Sequence, residues 1–256
     1  MTHDVPAKGQ DAATQNARRR KAAGLRSYRR QSARDTSKAQ RRVLQQLYPH
    51  YTVAVEVRSV EGARSPVRRL SWGHEQAGRP LHIEIGSGSG EVMLALAERH
   101  SGANILGIEV HKPSVAAIVQ KLHARAAHLT NVRVLRMDAM TMVAFCIEPS
   151  SVDAVHVYFP DPFPEAHDRR LLRPYFIELL ADALVLGGQL NVATDDAHYA
   201  ASIRDLLSQF DSHFEEQMVH ERPDWRPISK YEGKALREGR TEIFEFKYIL
   251  RRDRKH

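Results

Sequence analysis

Leu81-His-Ile-Glu-Ile-Gly-Ser-Gly-Ser-Gly90 is the stretch on which the fold turns. Leu81–Ile85 reads as a short buried strand, and three alternating glycines follow it directly. Glycine lacks a Cβ and adopts positive φ without strain, so this loop can bring backbone close to a ligand. A helix predicted from 91 to about 100 would aim its unpaired N–H groups at the same point. Outward from there the chain alternates. Strands are expected over 104–110, 131–137, 151–158, 189–193 and 241–250. Helices are expected over 114–129, 168–186 (interrupted at Pro174 and stopped at Gly187-Gly188) and 199–210. This order predicts an α/β fold, Rossmann-like and doubly wound, with a mostly parallel sheet. A helix is also expected over 37–49, and residues 51–80 read as an irregular connector exposing Arg64, Arg68 and Arg69.

The loop Gly86-x-Gly88-x-Gly90 alone serves a dinucleotide, S-adenosyl-L-methionine or a tight turn equally well. Two features separate these. The dinucleotide fingerprint places its third glycine three residues after the second, whereas here the spacing is two and Glu91 follows. Glu84, just before the loop, would oppose a pyrophosphate but suits the ammonium of an amino-acid moiety. Glu109 then ends the second strand of the alternating region, where an acid grips ribose hydroxyls in such folds. Asp138, followed by Ala139, ends the third and could accept from an adenine amine. Three acids at successive strand ends converge on one crevice and point to S-adenosyl-L-methionine as cofactor. A dinucleotide oxidoreductase is the weaker alternative.

The next strand runs into Tyr158-Phe-Pro-Asp-Pro-Phe-Pro164, where three prolines stiffen the chain around Asp161. With this block the chain resembles the tRNA (guanine-N7)-methyltransferases of the bacterial TrmB type. The resemblance covers roughly residues 80–250. It rests on Glu84-Ile-Gly-Ser-Gly-Ser-Gly90, Gly107-Ile-Glu-Val-His-Lys-Pro113, Phe159-Pro-Asp-Pro162, Ala193-Thr-Asp195 and Ser229-Lys-Tyr-Glu232. It implies a class I methyltransferase fold and transfer of a methyl group to N7 of a variable-loop guanosine, position 46, in tRNA. It further implies that Glu84, Gly86, Gly88, Gly90, Glu109, Asp138, Ala139 and Asp161 hold the cofactor, with Asp161 also catalytic. Asp195, Ser229, Lys230, Tyr231 and Glu232 would contact the nucleoside. The chain departs from the family after Asp161. Phe163 stands where the family has Trp, Glu165 where it has a lysine, and the dense basic run shrinks to Arg169 and Arg170 beside Asp168. Glu165 and His167 therefore inherit no binding role. The alternatives are a methyltransferase of the same fold acting on another RNA, and a non-catalytic RNA-binding relative.

Charge supports a polyanionic partner. Residues 1–42 hold twelve Lys or Arg and three acids, a balance of +9 against +7 for the whole chain, so the remainder sums to −2. Residues 1–36 are expected to be a basic flexible arm and 37–256 a single methyltransferase domain. The lone Cys146 excludes an internal disulfide. The fourteen histidines show no ligand spacing, so no metal is expected. Neither a signal peptide nor a bilayer-length apolar run is evident, which predicts a cytoplasmic protein without a membrane partner. Monomer and homodimer both remain open. If the arm engages RNA, deleting residues 1–36 will weaken tRNA binding and flatten its salt dependence, as filter binding across a salt series would register.

Overall fold

In the computed structural model, the described residues are 36–58, 67–72, 76–125, 127–219 and 221–251. Of the expected arm all but Thr36 lies outside them, as does Arg64. The chain enters with α1 (Lys38–Gln46), opened by a capping box in which Ser37 and Gln40 each satisfy the other's backbone N–H. Val43, Leu44 and Leu47 pack inward, as their helical spacing predicts. A short α2 (Tyr48–Tyr51) follows. The Tyr48 hydroxyl accepts the Arg136 amide at 2.9 Å, and the Tyr51 hydroxyl lies 3.0 Å from His123 Nδ1.

Next comes a correction to the sequence reading. The supposed connector contains an antiparallel pair, β1 (Ala54–Arg58) and β2 (Val67–Ser71), with Val55 opposite Leu70. Val55, Leu70 and Trp72 pack against the main core, and Val53 is buried. Local sequence reads as a loop here because the apolar runs are short and Glu56, Arg58, Arg68 and Arg69 break them up. Tertiary packing supplies what propensity lacks.

The main sheet has seven strands: β3 (Leu81–Ile85), β4 (Asn104–Ile108), β5 (Val132–Leu135), β6 (Val152–Tyr158), β7 (Leu184–Thr194), β8 (Phe214–Gln217) and β9 (Phe244–Leu250). Their order is β5-β4-β3-β6-β7-β9-β8. The five strands from β5 to β7 run parallel, and β9 pairs antiparallel with both β7 and β8. One face is covered by α3 (Glu91–Arg99) and α4 (Lys112–Ala124). The other carries α5 (Ala139–Cys146), α6 (Pro174–Ala183) and α7 (Ala197–Ser208). An eighth helix, α8 (Lys230–Arg237), precedes β9. The sheet is doubly wound and mostly parallel, as expected. Strand order reverses between β3 and β6, and ligands of such sheets bind at the carboxyl ends beside that switch. No helix among the described residues is long and apolar enough to cross a membrane.

Three elements differ from the sequence reading. The helix predicted over 168–186 is a single 3-10 turn (His167–Arg169) followed by α6, which ends at Ala183. Leu184 then pairs with Val152, and Gly187-Gly188 lies inside β7 where the register shifts. Apolar runs such as Leu184-Val-Leu186 fit a buried helix or strand alike, so periodicity could not place that boundary. Helix α5, strand β8 and helix α8 were not expected.

Gly107, in the middle of β4, is required by close approach. A Cβ there would lie 2.1 Å from Met93 Sδ and 2.7 Å from Ser87 Oγ. Gly107→Ala is therefore expected to destabilise the protein by about 1–3 kcal/mol, read as a shifted denaturant midpoint.

Candidate active site

The glycine loop leaves β3 with Gly86, Gly88 and Gly90 all at positive φ (78°, 54° and 85°). Gly86 and Ser87 donate to the Ile108 carbonyl at 2.8 and 3.2 Å, tying the loop to the end of β4. Glu109 completes the fastening. Its Oε2 accepts from Gly88 N at 2.9 Å and its Oε1 from His111 N at 2.8 Å. A Cβ on Gly86 would meet nothing within 4 Å, so the loop faces open space, and a cavity lies there.

The wall of that cavity gathers residues from the carboxyl ends of β4, β5 and β6. Gly86, Glu109, Asp138, Ala139, Asp161 and Tyr231 line it together. Asp138 is the N-cap of α5, its Oδ1 accepting from Thr141 N at 2.9 Å and Thr141 Oγ1 at 3.0 Å. Asp161 sits in a strained segment. Phe159 and Phe163, on either side of Pro160-Asp161-Pro162, have φ of 51° and 41°. Bulky side chains rarely adopt this region, and such strain persists only where the surroundings enforce it. Here Phe159 N donates to Ala193 O at 2.8 Å. The buried Arg170 donates from Nε to Pro162 O at 2.6 Å and from Nη1 to Ser202 Oγ at 2.8 Å. Its guanidinium also stands 4.6 Å over the Tyr199 ring, whose hydroxyl burial pushes up to about 12. Arg170 thus braces the aspartate loop from inside. Arg169 instead lies on the Phe163 ring at 4.5 Å.

Other sequence-predicted residues stand outside the cavity wall. Glu84 is buried at the amino end of α3, behind the loop. Burial pushes its carboxyl up to about 8, the Ser87 hydroxyl and Met93 amide opposing that shift and the charges of Glu91 and Glu109 reinforcing it. Its Oε2 has no hydrogen-bond partner. Asp195 accepts from Arg240 Nε at 2.7 Å. Ser229 caps α8 through the Glu232 amide at 3.1 Å, and Lys230 is exposed. Glu232 is buried, 2.8 Å from Arg226 Nη1. Sequence reasoning missed Tyr158, Phe163 and Arg173 in the wall and Arg226 behind it. Proline neighbours at Phe163 and Arg173 were the available signal. For Arg226 there was none.

Three carboxylates and the open space over Gly86 suit a hydroxyl-bearing ligand, and Arg169, Arg170 and Arg173 share the wall with them. Among the described residues no three His, Cys, Asp or Glu side chains are grouped to hold a metal. His82, His100 and His156 do approach one another, with His82 4.6 Å from His100 and 5.7 Å from His156, ring centre to centre. Burial, then mutual repulsion, depresses His82 to about 4 and His156 to about 3, so both are neutral.

Glu84 yields a pH prediction. The folded state keeps its proton up to about pH 8, whereas the unfolded chain releases it near 4.5. Between those values the folded state binds more protons, so stability falls as pH rises. Glu84→Gln should remove that slope. Chemical denaturation at pH 5 and pH 8 will show the variant gaining on the parent protein at the higher pH.

Residues 78–245 match a family described as "Putative methyltransferase". A tRNA (guanine-N(7)-)-methyltransferase of Nitrosospira multiformis is 35% identical over 207 residues, spanning 79% of this chain and 85% of that one. The namesakes from Cupriavidus metallidurans and Halorhodospira halophila are each 35% identical, over 84% and 85% of this chain and 80% and 91% of theirs. Among solved structures, the aminoglycoside resistance methyltransferase NpmB1 is a distant likeness. It has 16% identity and TM-score 0.49, with 76% of this chain and 100% of that one covered. With identity above a third across most of both chains, this protein belongs to the tRNA (guanine-N(7)-)-methyltransferase family.

Proposed function

We propose that this chain transfers the methyl group of S-adenosyl-L-methionine to N7 of a variable-loop guanosine in tRNA, in the cytoplasm. The observation that carries this reading is the shared wall of Glu109, Asp138 and Asp161 beside the glycine loop. When bound there, the cofactor supplies an electrophilic methyl on a cationic sulfur. Glu109, fixed in place by two amides, would hold the ribose hydroxyls. Asp138 keeps Oδ1 on the α5 cap and turns Oδ2 to the adenine amine. Gly86 leaves room for the backbone to approach.

Guanine N7 carries an in-plane lone pair and attacks without losing a proton. The new N–C bond forms as the S–C bond breaks, the electron pair stays on sulfur, and positive charge passes to the purine. No general base is required, so alignment and electrostatics carry the catalysis. Asp161, in its braced loop, accepts from the guanine N1–H or exocyclic amine and offsets the charge arriving on the ring. Lys230 meets a phosphate. Asp195 follows β7, two residues beyond the Ala193 carbonyl that accepts from Phe159 N. A second reading, methylation of another RNA, draws on Glu165, exposed where the resemblance has a lysine.

The test is methyl transfer from labelled cofactor to unmodified tRNA, with a transcript lacking the variable-loop guanosine as control. Label in both transcripts would favour the second reading. Asp161→Ala should lower turnover by about 100-fold or more. Its affinity for S-adenosylhomocysteine should stay within about threefold, since Glu109 and Asp138 are untouched. Near-normal turnover in that variant would remove Asp161 from catalysis.

A further inference from the structure

Arg226 is fully buried. A guanidinium in the interior is costly unless its charge is paired and its donors are met. Here Nη1 donates to Glu232 Oε2 at 2.8 Å and Nη2 to Glu245 Oε1 on β9, while the buried Nε has no hydrogen-bond partner. The guanidinium carbon stands 4.9 Å over the Tyr158 ring and 5.7 Å over that of Phe159. Arg222 completes the cluster, its Nε 3.5 Å from Glu232 Oε1 and its Nη1 donating to the Arg226 carbonyl. Both oxygens of Glu232 therefore face arginines, and the residue is 2% exposed. Its carboxylate turns away from the cavity.

This inward turn matters because of what precedes it in the chain. Tyr231 lines the cavity, and its Cε2 is 3.6 Å from where a Cβ on Gly88 would lie. Helix α8 has eight residues, and only Glu232 and Ala235 are buried. So short a helix is marginal by itself, and one alanine methyl is a weak anchor. The ion pair is the strong attachment between α8 and the body. The same guanidinium packs on Tyr158, in the cavity wall, and on Phe159, which opens the segment carrying Asp161.

We propose that Arg226 and Glu232 are a positioning pair: their contact fixes the first turn of α8 so that Tyr231 closes the cavity over Gly88, and Glu232 serves the reaction through Tyr231 without touching the nucleoside. The proposal rests on reading the cavity as the cofactor site. It revises the role that the resemblance implied for Glu232. That residue becomes the anchor of Ser229-Lys-Tyr-Glu232, and Tyr231 its working end. The aromatic ring supplies the contact, so the hydroxyl of Tyr231 is dispensable for it.

The experiment is calorimetric binding of S-adenosylhomocysteine to the full chain and its variants, alongside the KM for tRNA. Glu232→Gln and Arg226→Lys should each weaken binding by about tenfold, the order expected when a residue acts through a coupled neighbour. The double variant should lose no more than Arg226→Lys alone, because the contact with Glu232 is already broken there. Tyr231→Ala should match that loss, and Tyr231→Phe should retain parental affinity. If Glu232→Gln binds S-adenosylhomocysteine normally and only its tRNA KM rises, Glu232 touches the nucleoside and the proposal is overturned. Should the ion-pair variants fail to fold, Tyr231→Ala still decides, since undiminished affinity there overturns it too. Failure of the parent protein to bind S-adenosylhomocysteine would instead count against the cofactor reading.

Discussion

One carboxylate holds the site together. Glu109 takes the Gly88 amide on one oxygen and the His111 amide on the other, joining the glycine loop to the turn that enters α4. Charge-assisted bonds of this kind are the strong ones, and a carboxylate held by two amides has little freedom left. The loop beneath it already donates two amides to Ile108. With the loop fixed at both points, Gly86 faces the cavity. Gly90 also brings α3 against α4, close enough that a Cβ would lie 2.9 Å from Ile118 Cγ1. The carboxylate that lines the cavity also shapes the loop, so the cavity wall is inseparable from the packing of α3 and α4.

Buried ionisable groups divide into two kinds around this centre. Arg226 and Glu232 meet burial by pairing with each other, whereas Glu84, His82 and His156 meet it by becoming neutral. The neutral groups pull the stability profile in opposite directions. The histidine contribution is complete above about 6.5 and is lost as pH falls toward 4 and then 3. The Glu84 contribution is complete below 4.5 and is lost as pH rises toward 8. Both groups lie on the α3 side of β3 and β6, so one layer of the fold carries both slopes.

The sequence was legible wherever local rules suffice. Leu81–Gly90 declares itself because a buried strand, a positive-φ loop and a helix start are all written within a few residues. Glu109, Asp138 and Asp161 could be placed because parallel strands put their carboxyl ends side by side. Legibility failed where long-range packing chooses between equal local options. Leu184-Val-Leu186 could continue a helix or begin a strand, and only pairing with Val152 settles it. The β1–β2 pair draws its apolar support from a core far away in sequence. The pairing of Glu232 was also hidden, because its cationic partner comes from Trp225-Arg226-Pro227, a stretch with no pattern to announce a buried charge.

The departures around Glu165 take on a different meaning once the side chains are placed. Arg170, one of the two arginines left from the family's basic run, is turned inward and holds Pro162 and Ser202. Arg169 is laid on Phe163, the residue that replaces Trp. A planar guanidinium on an aromatic face keeps both groups rigid, so the substitution costs an indole donor without loosening the wall. The third cation is Arg173, absent from the basic run altogether. It donates to the Asp168 carbonyl at 2.7 Å and lines the cavity from the residue just before α6. Pro174 at the first position of that helix restrains Arg173 to extended backbone, which is what it shows at φ −153° and ψ 161°. The cavity therefore pairs three acids with arginines held by stacking, by a carbonyl and by proline geometry. Positive charge in the wall does not depend on the position that Glu165 occupies.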